Sequence, residues 1–187
     1  ILMAFPPLLT ALAVAREKEL GTIAQIYASP LTKTEFIAGK LAPYAVIAFL
    51  ELLSVVGGGL FWFKIPMHGS LTLLIVLGLL YVICTVSIGL LISTLVRSQL
   101  AAMLVALIVT LMPSFLFSGF VYPIFTMPDL FQAYSAALPT PYFLDISRGI
   151  VLRGAGLKEL WGNVAVLAGY TVAVFALAAW RFKKRIA

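Results

Sequence analysis

The chain has 187 residues, 63% of them hydrophobic and 11% charged, with a mean hydropathy of +1.10; so small a polar share cannot cover a soluble globule. The formal charge of +6 does not point to nucleic acid, because the lysines and arginines sit at the ends of apolar runs and build no basic face with interleaved aromatics. The single cysteine, Cys84, lies inside an apolar run and excludes a disulfide framework or a thiol metal site. What remains is a membrane protein, with lipid as its surroundings.

The chain opens ILMAFPPLL, with no basic flank before the apolar residues, so it does not read as a signal peptide. About fifteen apolar residues at ~1.5 Å each cover ~22 Å, short of the ~30 Å hydrocarbon core. Residues 1–15 are therefore expected to be one end of a partial span, with an N-terminal part of the protein missing before them. Four longer apolar segments follow, at 36–63, 71–95, 100–122 and 160–180. Lys and Arg are retained on the cytoplasmic side of a membrane. Nine cations (Arg16, Lys18, Lys33, Lys40, Arg97, Arg181, Lys183, Lys184, Arg185) gather on one side, against Lys64, Arg148, Arg153 and Lys158 on the other. That places the C-terminal tail, 181–187, in the cytoplasm.

Residues 16–35 form the long polar passage of that inner side. Leu20, Ile23 and Tyr27 recur at helical spacing, predicting a short amphipathic helix along the interface. Ser29-Pro30 ends it, since a residue before proline is pushed out of the helical region. Thr32 and Glu35 then have the spacing of a capping box for the next span. On pattern alone this helix serves equally as a membrane-surface element without a partner.

Pro43 falls inside the first full span and is expected to kink it. Glu51 lies near that span's middle, where a carboxylate costs about 2.5–3.5 kcal/mol. It is either a helix-contact group joining two helices or a polar lining of a substrate path. Gly57-Gly58-Gly59 leaves a smooth surface or a loosened outer end. His68 stands alone in the loop 64–70, without partners at metal-ligand spacing, so no metal site is expected. The small residues Ser87 to Thr94 suit helix contacts. Residues 123–159 are apolar but cut by Pro128, Pro139, Pro141 and Gly154 into pieces too short to cross. They predict two short outer helices forming a re-entrant hairpin: one face of Leu130, Phe131, Tyr134 and Leu138, the other of Phe143, Ile146 and Ile150. Asp145 and Arg148, three apart, are expected to pair.

No GxxxxGK[ST] phosphate loop is present, and no nucleophile, base and orienter set can be assembled. Catalytic residues are therefore expected to be none. Taken together, REKELGTIAQIYASPLTKTEFIAGKLAPY, GLLISTLVRSQLAAM, PSFLFSGFVYPIFTMP, LPTPYFLDISRGIVLRGAGL and the RFKKR tail strongly resemble the permease subunit of type-2 ATP-binding-cassette (ABC) exporters. The resemblance implies an all-α polytopic membrane protein, an exporter-like helical bundle with an inner coupling helix and an outer re-entrant hairpin. It also implies pairing with a second permease subunit, as homo- or heterodimer, and binding to cytoplasmic ABC ATPase subunits. The coupling helix maps onto Glu17 to Ser29, with Glu17, Glu19, Thr22, Gln25, Tyr27, Ser29 and Pro30 contacting the ATPase. No cofactor is expected on this chain, since ATP would be hydrolysed by the partner. Glu51 departs from the uncharged residue that the family leads one to expect. The implied function is export of a drug, lipid, polysaccharide or similar substrate across a bacterial inner membrane; the alternative is a non-transporting scaffold or regulatory subunit that anchors a partner complex.

Overall fold

The computed structural model describes residues 2–21 and 33–181. Thr22, Gln25, Tyr27, Ser29 and Pro30, the capping residue Thr32 and the tail beyond Arg181 lie outside the described residues. Helix α1 is Phe5–Glu19, with Pro6 and Pro7 in its first turn, where a missing N–H leaves no bond unmade. It runs four residues past the expected end of the apolar segment. Helix α2, Lys33–Gly57, contains Pro43 and widens into a π-turn at Gly58–Trp62. Helix α3 is Leu71–Leu95, N-capped by the Ser70 hydroxyl, which accepts from the Leu73 N–H.

The next span is composite: α4 at Gln99–Ala106, N-capped by Ser98, a π-turn at Leu107–Leu111, and α5 at Met112–Leu116. It stops six residues short of the expected end at 122. The chain leaves the helix at Phe117, and Gly119 with φ of 80° turns it. Helices α6, Asp129–Ala136, and α7, Pro139–Arg153, follow; Gly154 closes α7 in the left-handed conformation, with φ of 65°. Helix α8, Leu157–Arg181, is last. Among the described residues, four helices are long and apolar enough to cross a membrane: Ala38–Trp62, Leu71–Leu95, Gln99–Leu116 and Leu157–Arg181.

Helix α3 is the axis of the bundle. It packs against α1, α2, α4, α7 and α8 and is mostly buried, whereas few residues of the other three spans are buried. Its composition explains this: a helix apolar on every side has no solvent face to lose. Thr85, Ser87, Ser93 and Thr94 return their hydroxyls to carbonyls three or four residues earlier, which leaves short side chains that let neighbours approach. The two cores lie on either side of it. One joins Tyr81, Cys84, Ile88, Ile146, Ile150 and Leu167; the other joins Val14, Leu41, Leu52, Val86, Leu90 and Ala178.

Helices α6 and α7 form a hairpin, of which α7 packs on α3 and α8. The Tyr81 hydroxyl donates to Thr140 Oγ1 at 3.4 Å, and Ser114 Oγ lies 3.1 Å from the same atom. Tyr81 is ten residues inside α3, so the start of α7 reaches about 15 Å along that helix. The ring of Phe143 stacks on Tyr81 at 4.1 Å, and Ile146 and Ile150 are fully buried. The first face is different from the expectation. Leu130, Phe131 and Tyr134 stay exposed, and the buried residue of α6 is Ser135, whose hydroxyl donates to the Phe117 carbonyl at 2.6 Å. Phe117 instead stacks on Phe131 and meets Tyr134 edge-on. Asp145 and Arg148 form no ion pair: the guanidinium reaches the Gly119 carbonyl at 3.2 Å, satisfying the turn that ends the composite span.

Candidate functional site

The charged run Arg16-Glu17-Lys18-Glu19 is helical, and its last three side chains each hold a different helix. The reason is geometric: consecutive residues on an α-helix point roughly 100° apart, and α1 lies against α2, α3 and α4. Glu17 forms an ion pair with Lys40 of α2, both side chains half-buried. Lys18 donates from Nζ to the Ser93 carbonyl and, at 3.5 Å, to the Val96 carbonyl. Those are orphan acceptors at the C-terminus of α3, the end of a helix that favours a cation. Glu19 Oε2 accepts the backbone N–H of Gln99 at 3.1 Å and its side-chain amide at 3.0 Å. Gln99 is the first residue of α4, the end that favours an anion.

The electrostatics follow the same contacts. The Gln99 backbone N–H, and then its side chain, hold the Glu19 carboxyl below the usual glutamate range. Burial lowers Lys18. Two features then close α1: Leu20 N–H returns to the Arg16 carbonyl at 2.9 Å, and Gly21 takes φ of 71°.

Of the seven residues expected at an ATPase contact, the structure therefore places two, Glu17 and Glu19, and both engage the chain itself. Sequence reading missed Lys18, Lys40 and Gln99. The signal available was the alternation Glu-Lys-Glu at the end of an apolar run, which reads as solvated until the opposing helix ends are known.

Glu51 lies on the flank of the buried stripe of α2 formed by Leu41, Ala48 and Leu52. It is half-buried and, among the described residues, makes no hydrogen bond to another side chain. Helix α2 packs on α1, α3 and α8, while the composite span packs on α1 and α3. Apolar cavities flank these helices. One of about 620 Å³ opens between the composite span and α6, lined by Ile108, Met112, Pro113, Phe117, Phe131 and Tyr134. Another, about 200 Å³, lies between α2, α3 and α7, with Ser147 among Leu52, Val56, Leu74 and Phe143. Among the described residues, no three His, Cys, Asp or Glu side chains gather where they could hold a metal. Such surfaces can accommodate apolar groups and move against one another; they offer no set of groups for bond-making.

Comparison with known proteins bears on the whole chain. The profile of a family described as ABC-2 family transporter protein matches residues 1–180. The "Probable multidrug ABC transporter permease YbhS" of Escherichia coli is 34% identical over 179 residues, covering 96% of this chain and 48% of that protein. The "Probable multidrug ABC transporter permease YbhR" of the same organism gives the same identity and coverage. The "Inner membrane transport permease YhhJ" of Escherichia coli is 31% identical over 182 residues, again 48% of its length. The chain thus spans about half the length of the curated relatives it matches. With a family match that runs from the first residue into the last helix, over a bundle of membrane-length helices, this chain belongs to the ABC-2 family of transporter proteins.

Proposed function

We propose that this chain is the membrane-embedded part of an ABC transporter permease, exporting a drug, lipid, polysaccharide or similar substrate with energy from a separate ATPase. The observation that supports this best is the family match over residues 1–180. On this reading the end bearing Arg16, Lys18, Lys40, Arg97 and Arg181 faces the cytoplasm of a bacterial cell, as the retention of cations there requires. Thr22, Gln25, Tyr27, Ser29 and Pro30 meet the ATPase, while Glu17 and Glu19 anchor the root of the same loop. A second permease subunit completes the path, with substrate passing between the paired subunits along α2 and the composite span. Glu51 then lines the path or the contact between subunits.

The test uses the full-length protein and its cognate ATPase in proteoliposomes. ATP-driven movement of a hydrophobic cationic dye such as ethidium, together with co-purification of the ATPase that is lost on deleting residues 22–30, is the expected result. Retention of the ATPase by the deletion variant with undiminished dye movement would refute it.

A further inference from the structure

We propose that Glu17, Lys18 and Glu19 are positioning residues that carry a displacement of the loop beyond Gly21 into three membrane helices at once, one side chain to each helix. The inference deepens the functional reading and rests on it, in that the loop must be the part on which the ATPase acts.

Three observations carry it. The contacts are long in sequence and short in space: Glu17 to Lys40, Lys18 to Ser93 and Val96, Glu19 to Gln99. Each charge suits what it meets. The ammonium sits on the carbonyl end of α3 and the carboxylate on the N–H end of α4, so the three-residue turn at 96–98 is gripped from both sides by adjacent residues of α1. Finally, the grip lies within the last turn of α1, directly before Gly21. A helix end tied in three directions cannot slide along one neighbour without loading the other two. Apolar packing also favours one register, but a charge-assisted bond holds one named atom to another and so transmits a pull as well as a push. The same residues in a purely structural staple would add to stability and leave the ratio of transport to ATP turnover untouched.

That ratio is the measurement. Full-length protein is reconstituted with its ATPase, and ethidium moved per ATP hydrolysed is compared with ATPase co-purification and the elution profile. Lys40→Glu, which places two carboxylates together, is expected to lower dye moved per ATP about threefold to tenfold with co-purification retained. Combining it with Glu17→Lys restores the pair in reverse and is expected to recover the ratio to within about twofold. Gln99→Ala removes one of two bonds to Glu19, keeps its backbone N–H, and is expected to lower the ratio about twofold. Wild-type coupling in Lys40→Glu, or a folded double variant that stays uncoupled, overturns the proposal while leaving the functional reading intact. A wild-type protein that neither retains the ATPase nor moves dye with ATP overturns the functional reading and this proposal with it.

Discussion

Gly89 and Gly78, on the same helix, should respond differently to the same methyl group. A Cβ on Gly89 would come within 2.8 Å of both Pro7 Cα and Thr10 Cβ, and closer still to the Pro7 carbonyl oxygen. Carbon atoms in contact prefer about 3.5–4.0 Å, so about an ångström must be found, and it must come from the backbone of α1. Overpacking of this kind costs about 1–3 kcal/mol. With backbone as the obstacle the cost falls in the upper part of that range, about 2–3 kcal/mol; the better helix propensity of alanine returns ~1 kcal/mol, leaving a net loss of about 1–2 kcal/mol for Gly89→Ala. A Cβ on Gly78 meets the end of the buried Leu52 side chain, nearest at Cδ2, 2.5 Å, and Cδ1, 3.1 Å, a side chain that can turn where backbone cannot. Rotating that side chain costs about 0.5–1.5 kcal/mol, which the same propensity gain nearly offsets. At about 2–4 °C per kcal/mol, thermal unfolding of the full-length protein in detergent should fall by roughly 2–8 °C for Gly89→Ala and stay within about 2 °C for Gly78→Ala. Equal midpoints for the two variants, or a larger loss at Gly78, would refute the idea that the α1–α3 contact is backbone against backbone.

Three further outcomes are expected. Tyr81→Phe should cost under about 1 kcal/mol, because the bond to Thr140 is long at 3.4 Å and the stack on Phe143 survives, whereas Tyr81→Ala should cost about 3–5 kcal/mol in the same unfolding assay. A cysteine replacing the fully buried Ile146 should resist both membrane-impermeant and membrane-permeant thiol reagents, while one replacing Tyr134, exposed beside the larger cavity, should react with the permeant reagent; protection of both would mean that α6 is covered. Glu51→Gln and Glu51→Leu should unfold at the same temperature, since the carboxylate bonds no other described side chain, and a lower midpoint for the leucine variant would show a hydrogen bond that glues helices.

Hydropathy and length located the membrane-length helices, because a bilayer demands about 20 apolar residues of any helix that crosses it. What they could not locate were helix ends. Charged residues after an apolar run read as the start of a loop, yet Arg, Glu and Lys are good helix formers, and α1 continues through Glu19 because each of its last three side chains finds a partner that only the fold supplies. The composite span ends early for the opposite reason: residues 117–122 are apolar enough to continue, but Phe117 is taken by Phe131 and Tyr134, and Gly119 permits the turn. Proline punctuation revealed that residues 123–159 are two short helices; how far they enter depends on Tyr81 and Thr140, 59 residues apart. The one face of the hairpin that periodicity described well is Phe143, Ile146 and Ile150, which packs on α3; its counterpart on α6 faces outward, since an apolar stripe does not say which neighbour, if any, covers it.

The composite span connects these separate features. At one end Gln99 is fastened to Glu19, and fifteen residues on, about 22 Å along a helix, Ser114 lies 3.1 Å from Thr140 at the tip of the hairpin. Both attachments are polar bonds in defined directions. Between them lies the π-turn at Leu107–Leu111, where the regular bonding of the helix gives way to a wider loop of the ladder. Regular helix on either side resists bending, so relative motion of the two attachments concentrates where the ladder is already irregular. Ile108, Val109 and Leu111 of that turn are exposed among the described residues. If the end of α1 is pulled as proposed, the pull would reach the hairpin through a helix fastened at two places by polar bonds, with its irregular turn between them.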